Sequence, residues 1–498
     1  MFGSAGLSFD SVLIDGDEIE EIGDFTDYKS SGFEIFDYGD SVILPGFTDA
    51  HLHLVWLGKI LSGCDLREIK TSSELVNKIK EFSDGLDDDD FLLGYGYNEH
   101  EWEDGVKPTC DLIDNVSGNH PAILTRSDGH SWLLNSKMMV LAGIHEIKDP
   151  ELRKHIQYLD GKPTGIVFDN VFTEKIKPLM PDPSPLKTRE SILLAQEHLL
   201  SLGITSCRTF GTLDDFLMLA SLEQENLLKL RIAASIPDTA LDWAITLATQ
   251  TGSGTERFWL GQIKIFSDGS LGSKTALVSK PYSDGTYGLP VMPFEKMQEI
   301  VDKAHAYGFG VAIHAIGDVA VHNVVKVLKN GTKKDSIEHF QCASTASINE
   351  IAKTEVNVVL NPSHMPVDFD FINTEWKELK NMVYPVRSLK TAGVKIGFGS
   401  DAPVVTANPF YAIACATTRK GINTGKINPS EAIPFNTAMK IAFNDSSEII
   451  GGPKRGSIEK GYKADLIVTD DFIGKNPWDV LKTSVNATFV GGEKVWEK

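Results

Sequence analysis

The sequence predicts an α/β protein: a TIM (β/α)8 barrel with an inserted α+β subdomain and a small β-sandwich built from both termini. Three observations lead there. Short β-branched runs alternate with amphipathic helical segments through the middle of the chain, one gap is far longer than a crossover needs, and the two ends share a hairpin texture.

The ends come first. Ser11-Val12-Leu13-Ile14-Asp15-Gly16 alternates and closes on Asp-Gly, the dipeptide of a tight hairpin turn. The same texture returns in Ala464-Asp465-Leu466-Ile467-Val468 and over residues 488–496, where Gly491-Gly492 is the turn. Neither end has enough strands for independent stability, so residues 1–45 are expected to pair with the carboxyl-terminal part of the chain in one β module.

Between them, eight candidate strands end near His51, Thr209, Ile236, Phe266, His314, His339, Asn361 and Asp401, with amphipathic segments such as 294–307 and 318–328 as crossovers. Later gaps run about 20 to 50 residues, enough for one helix and its loops. The first gap, from His53 to a strand beginning at Gly203, is about 150 residues, far beyond a crossover. An inserted subdomain over about 59–185 resolves it, because loops at the carboxyl ends of barrel strands accept such additions. The insertion is expected to carry strands at 91–97 and 122–125 and to cover the active site. The barrel then occupies 46–430, and residues 431–498 supply its last helix and the second part of the sandwich.

Composition limits the function. The 498 residues are 42% hydrophobic and 23% charged, with a formal charge of −21, so the surface repels phosphate backbones and anionic membranes and no basic run offsets this. Nucleic-acid and membrane partners are not expected. Five scattered cysteines form no CxxC pair, and no leader-like or long apolar segment occurs, so a cytoplasmic protein acting on a small molecule is the default expectation. Homo-oligomerisation is compatible with this, although no interface is legible.

His51 and His53 stand one residue apart, which on a strand puts both side chains on one face, within reach of a single metal ion. Alone, that pair is weak evidence, because exposed or core histidines are commoner than metal ligands. Lys264, His314, His339 and Asp401 occupy comparable carboxyl-end positions, and a barrel gathers such ends. Imidazole and carboxylate ligands with an open position let bound water act as a nucleophile near neutral pH, and no GxSxG sequence competes for the role.

The stretches LPGFTDAHLHL, IKIFSDGSLGSKTA, VAIHAIGD, SIEHFQ and GFGSDAPV, in this order, resemble the amidohydrolase superfamily and, within it, the YtcJ-like branch, also called amidohydrolase family 3. RSDGHSWLLNS in the insertion and KGYKADLIV near the end extend the resemblance over nearly the whole chain. It implies a metal-dependent-hydrolase barrel with two divalent ions per chain, zinc being the favoured metal: His51 and His53 on one, His314 and His339 on the other, Asp401 on the first. Lys264 would bridge them as a carboxylated amine. A structural ion pair is the simpler alternative for Lys264, and a helix cap for Asp401.

Around this set, Arg126, Asp128 and His130 in RSDGHS are candidate substrate contacts, a satisfied turn being the plainer explanation. Asp268, in the loop after Lys264, is a candidate substrate-side or imidazole-orienting group, and His364 and Arg208 sit where a side chain could reach substrate. His305 reads as a packed or exposed histidine, and His100 has no assignment.

The leading function is hydrolysis of an amide-type carbon–nitrogen bond, other than a peptide bond in a protein, by metal-bound hydroxide with Asp401 shuttling the proton. Lactone, ester or phosphoester hydrolysis on the same site is the alternative within the enzyme class. A non-catalytic regulatory protein on the same scaffold is the alternative outside it.

Overall fold

A computed structural model describes residues 9–27, 32–88, 90–99, 102–126, 131–180, 184–470 and 477–498. The chain divides into two compact units, residues 1–55 with 195–498, and residues 56–194.

In the first unit eight parallel strands lie side by side in chain order: β1 (Phe47–Leu52), β2 (Ile204–Phe210), β3 (Arg231–Pro237), β4 (Phe258–Phe266), β5 (Val311–Ala315), β6 (Ser336–His339), β7 (Asn357–Leu360) and β8 (Ile396–Phe398). Every residue of β1, β2 and β5 is buried, as expected where both faces of a parallel sheet are covered. The crossovers are helices that bury one stripe. Asp318–Val327 buries Ala320, Val321, Val324, Val325 and Val327, and Leu213–Gln224 opens on a capping box between Thr212 and Asp215.

The barrel is nearly closed at a seam between β8 and β1. Asp401 N donates to His51 O at 2.7 Å and His53 N to Ala402 O at 2.9 Å, just past the strand ends. This close approach requires Gly399: a Cβ there would stand 2.4 Å from the Cβ of His51 and 2.8 Å from its backbone nitrogen.

The two chain ends do pair. Val42–Pro45 runs antiparallel to Leu466–Thr469, which pairs onward with Val485–Val490 and Glu493–Glu497. Gly491 and Gly492 both take positive φ in the last turn, as does Gly16 in the separate hairpin of Ser11–Asp15 with Glu18–Gly23. A buried ion pair fixes the module to the barrel, Arg231 Nε donating to Asp465 Oδ2 at 2.8 Å.

The second unit is built on a six-stranded sheet, in the order Cys64–Asp65, Leu92–Tyr97, Ala122–Arg126, Ser131–Leu134, Lys162–Phe168, Ile156–Leu159. Apolar clusters that include Leu75, Leu92 and Leu124, and Ile123, Met138 and Val167, form its core. The sequence reading placed only two of these six strands.

Gly399→Ala is expected to cost about 1–3 kcal/mol, the range for forcing an extra methyl into a packed site. Denaturant unfolding of the purified variant measures this, and an unchanged midpoint would contradict the tight seam.

Candidate metal centre

The carboxyl ends of β1, β5 and β6 and the segment after β8 bring His51, His53, His314, His339 and Asp401 together. His51 Nε2 lies 3.4 Å and His53 Nε2 3.1 Å from Asp401 Oδ1, and the potential ligand atoms of these three residues all fall within 4.8 Å of one another. The His51 ring centroid is 4.9 Å from that of His339, which is 4.5 Å from that of His314. His51 Nε2 is buried and makes no hydrogen bond. A buried ring nitrogen facing a carboxylate and a second imidazole has the donor chemistry of a zinc ligand, so the residues present fit a divalent metal.

The orientation of each ring follows from its other nitrogen. His51 Nδ1 donates to Glu338 Oε2 at 2.6 Å, His53 Nδ1 to Phe210 O at 3.0 Å, and His339 Nδ1 to Asn361 Oδ1 at 2.8 Å. Each of these three therefore presents Nε2. His314 is reversed: its Nε2 donates to Gly269 O at 3.1 Å, leaving Nδ1 as the free lone pair. Burial, then the Lys264 amine, lowers the His314 pKa to about 3, and the same two causes lower His51. Neutral imidazoles are the form that binds metal.

Lys264 lies on β4 with its Nζ 4.3 Å from the centre of the Phe210 ring and 4.8 Å from that of Phe266. Among the described residues no carboxylate stands within ion-pairing distance of it, which removes the plain salt-bridge explanation. Burial pulls its amine down to about 8, against the opposing pull of Glu338 and Asp401. Burial alone would raise the Asp401 carboxyl; the His51 and His53 imidazoles facing it outweigh that and hold Asp401 well below the usual range.

Arg208 is not at the rim. It is fully buried, with Nε on Ala50 O at 2.8 Å, Nη1 on Ser336 Oγ at 2.9 Å and Nη2 on Glu338 Oε1 at 2.6 Å. A guanidinium committed to these three acceptors has no access to substrate, so the expected substrate contact is corrected to a positioning role. Asp268 is likewise 1% exposed and organises loops: its carboxylate accepts from Ile316 N, Gly317 N and Leu277 N, while Oδ1 stays 3.6 Å from His314 Nε2. His364 does stand beside the cluster, Nε2 being 3.7 Å from Asp401 Oδ2. Arg126 belongs to the second unit, where it bonds Glu99 at 2.8 Å. Asp128, His130 and His100 lie outside the described residues. His305 pairs with Asp335 at 2.9 Å.

Two site residues escaped the sequence reading. Glu338 ties His51 to Arg208. Asp49 accepts from His51 N at 3.1 Å and Ser400 N at 3.0 Å, bracing the ligand strand against the Asp401 segment. Signals existed for both: Asp49 shares strand parity with His51 and His53, and Glu338 is a lone acid inside a buried strand.

A match to the amidohydrolase family model spans residues 34–496. The chain belongs to the amidohydrolase family. YtcJ of Bacillus subtilis is 28% identical, over 95% of this chain and 92% of that protein. The N-substituted formamide deformylase of Arthrobacter pascens is 23% identical, over 98% of this chain and 95% of that enzyme. Among solved structures, a metal-dependent hydrolase from Pyrococcus furiosus superposes with a TM-score of 0.75 at 28% identity, covering 92% of this amidohydrolase and 94% of its counterpart.

Glu338 supplies a pH test. Burial alone would raise its carboxyl; the Arg208 guanidinium and the His51 hydrogen bond outweigh it and hold its pKa at about 2. A depressed folded-state pKa gives stability that is present above the ordinary value of 4.5 and lost as pH falls toward 2. Glu338→Gln is therefore expected to flatten the acid limb of the stability profile over that window. It is also expected to weaken metal affinity about 10–100-fold through the loosened His51, read by competition with a chelating dye.

Proposed function

We propose that this protein is a binuclear metal-dependent hydrolase that cleaves an amide-type carbon–nitrogen bond other than a peptide bond in a protein. The observation that carries the reading is the buried, unpartnered His51 Nε2 facing His53 and Asp401. His51, His53 and Asp401 would hold one ion, His314 and His339 the other. Lys264, whose amine has no anionic partner among the described residues, would bridge them once it has added carbon dioxide and lost a proton to become a carbamate. When bound, zinc supplies Lewis acidity, making water a nucleophile near neutral pH and polarising a carbonyl oxygen.

The chain's own residues manage the proton. Asp401 accepts it from the attacking water and passes it to the departing amine, which leaves neutral; Asp401 is then ready for another turnover. His364, on the Oδ2 side of Asp401, would hydrogen-bond the substrate or the leaving group. Arg208 and Glu338 fix His51 and do not touch substrate. The formamide deformylase among the relatives supports an amide-type substrate. Lactones, esters and phosphoesters would use the same residues and differ in the leaving group.

Purified protein is expected to hold about two divalent ions per chain by elemental analysis. Asp401→Asn is expected to retain at least one ion and lose roughly 100- to 10,000-fold in turnover, the usual span for a general acid–base group. Assaying N-formyl amines, other N-acyl compounds, lactones and phosphoesters in parallel reads the bond class. Full activity in Asp401→Asn would sink the role given to that carboxylate, and activity confined to esters or phosphoesters would sink the amide assignment.

A further inference from the structure

At the amino-terminal end of the barrel, opposite the histidines, lies a basin of about 850 Å³. Its wall includes Lys333 and Lys334 just before β6, Asn357 at the start of β7, Lys395 just before β8 and the 449–455 segment. Six cationic side chains and three carboxylates line it, a local positive excess on a chain whose net charge is −21. The imbalance is concentrated. Lys395 is paired with Glu448, and Lys463 with Glu18, Glu256 and Asp17, which accounts for every lining carboxylate. Among the described residues Lys334 Nζ donates only to a backbone oxygen, Gly308 O, at 3.1 Å. Lys333 and Lys454 are exposed and have no carboxylate within ion-pairing distance among the described residues.

Beneath them lies Arg455. It is 6% exposed, its guanidinium is 5.1 Å above the Trp259 ring, and its Nε and Nη1 make no hydrogen bond. Its nearest carboxylate, Asp465, stands 4.0 Å away and is already held by Arg231 at 2.8 Å. A buried guanidinium that shares its counterion with a second arginine leaves uncompensated positive charge in the floor, and low-dielectric walls focus that field into the basin.

We propose that this basin binds a small dianionic metabolite, a phosphomonoester or a dicarboxylate. Lys333 and Lys454 hold the oxyanion from the rim, and Arg455 attracts it from below. The site is separate from the metal centre, so its occupancy does not depend on the reaction assigned above.

Calorimetric titration of the metal-loaded protein with inorganic phosphate, AMP and succinate, at matched ionic strength with chloride as the control, tests this. A saturable site for at least one of the three is expected. The Lys333→Glu/Lys454→Glu double variant, altered only at exposed positions, should bind about tenfold more weakly or worse. Protein stripped of metal with a chelator should bind as the metal-loaded protein does, which excludes the metal ions as the point of attachment. Binding of phosphate and AMP without succinate assigns phosphate esters, and binding of succinate assigns carboxylates; both outcomes support the proposal. No saturable binding beyond chloride, an unchanged affinity in the double lysine variant, or loss of binding on metal removal overturns it.

Discussion

The geometry of the candidate metal site depends on one buried ion pair. Arg208 on β2 and Glu338 on β6 meet at 2.6 Å inside the barrel, both wholly shielded from water, and the other Glu338 oxygen fixes His51. Taking two charges out of water is expensive, and such a pair is weak evidence for stability in itself. Its value here is directional. Because Glu338 can only accept from His51 Nδ1, the lone pair of Nε2 must face Asp401 and His53. A hydrophobic replacement of similar volume would fill the space and leave the imidazole free to turn or to change tautomer.

Backbone conformation makes the second contribution. His339, Phe340 and Asp401 adopt positive φ of 68°, 40° and 60°. Left-handed residues other than glycine cost on the order of 1–3 kcal/mol and persist only where their surroundings hold them. In β6, strict alternation would send Glu338 and His339 to opposite faces; the turn at His339 lets consecutive residues serve one site, Glu338 from behind and His339 at the rim. Asn361, Asp49 and the seam hydrogen bonds supply the restraint.

How much of this was legible follows from the kind of signal. Barrel strands were readable because parallel strands buried on both faces leave dense apolar runs, and their ends fell within a few residues of the observed ones. The candidate ligands could be grouped because a barrel gathers strand ends, so His314, His339 and Asp401 belong together without any distance being known. Most of the inserted sheet was not: Cys64–Asp65 is two residues long, and Lys162–Phe168 carries Pro163 and Gly165, which read as breakers. Arg208 was misread as a substrate contact because position at a strand end does not reveal direction; its partners, Ser336 and Glu338, lie about 130 residues further along the chain. Asp49 and Glu338 brace the candidate ligands from behind, and a motif for metal binding draws the eye to the histidines.

The pairing of Val42–Pro45 with Leu466–Thr469 bears on how the molecule is made. Between Pro45 and Leu466 stand 420 residues of chain. At about 5–20 residues per second, a ribosome takes roughly 20–80 s to supply the missing strand. Through that interval the early strand presents an unsatisfied edge while the barrel grows beyond it, and β8, which seals the seam on β1, also arrives late. Translation speed and chaperone cover during that wait therefore act on the same four residues that later join the two ends.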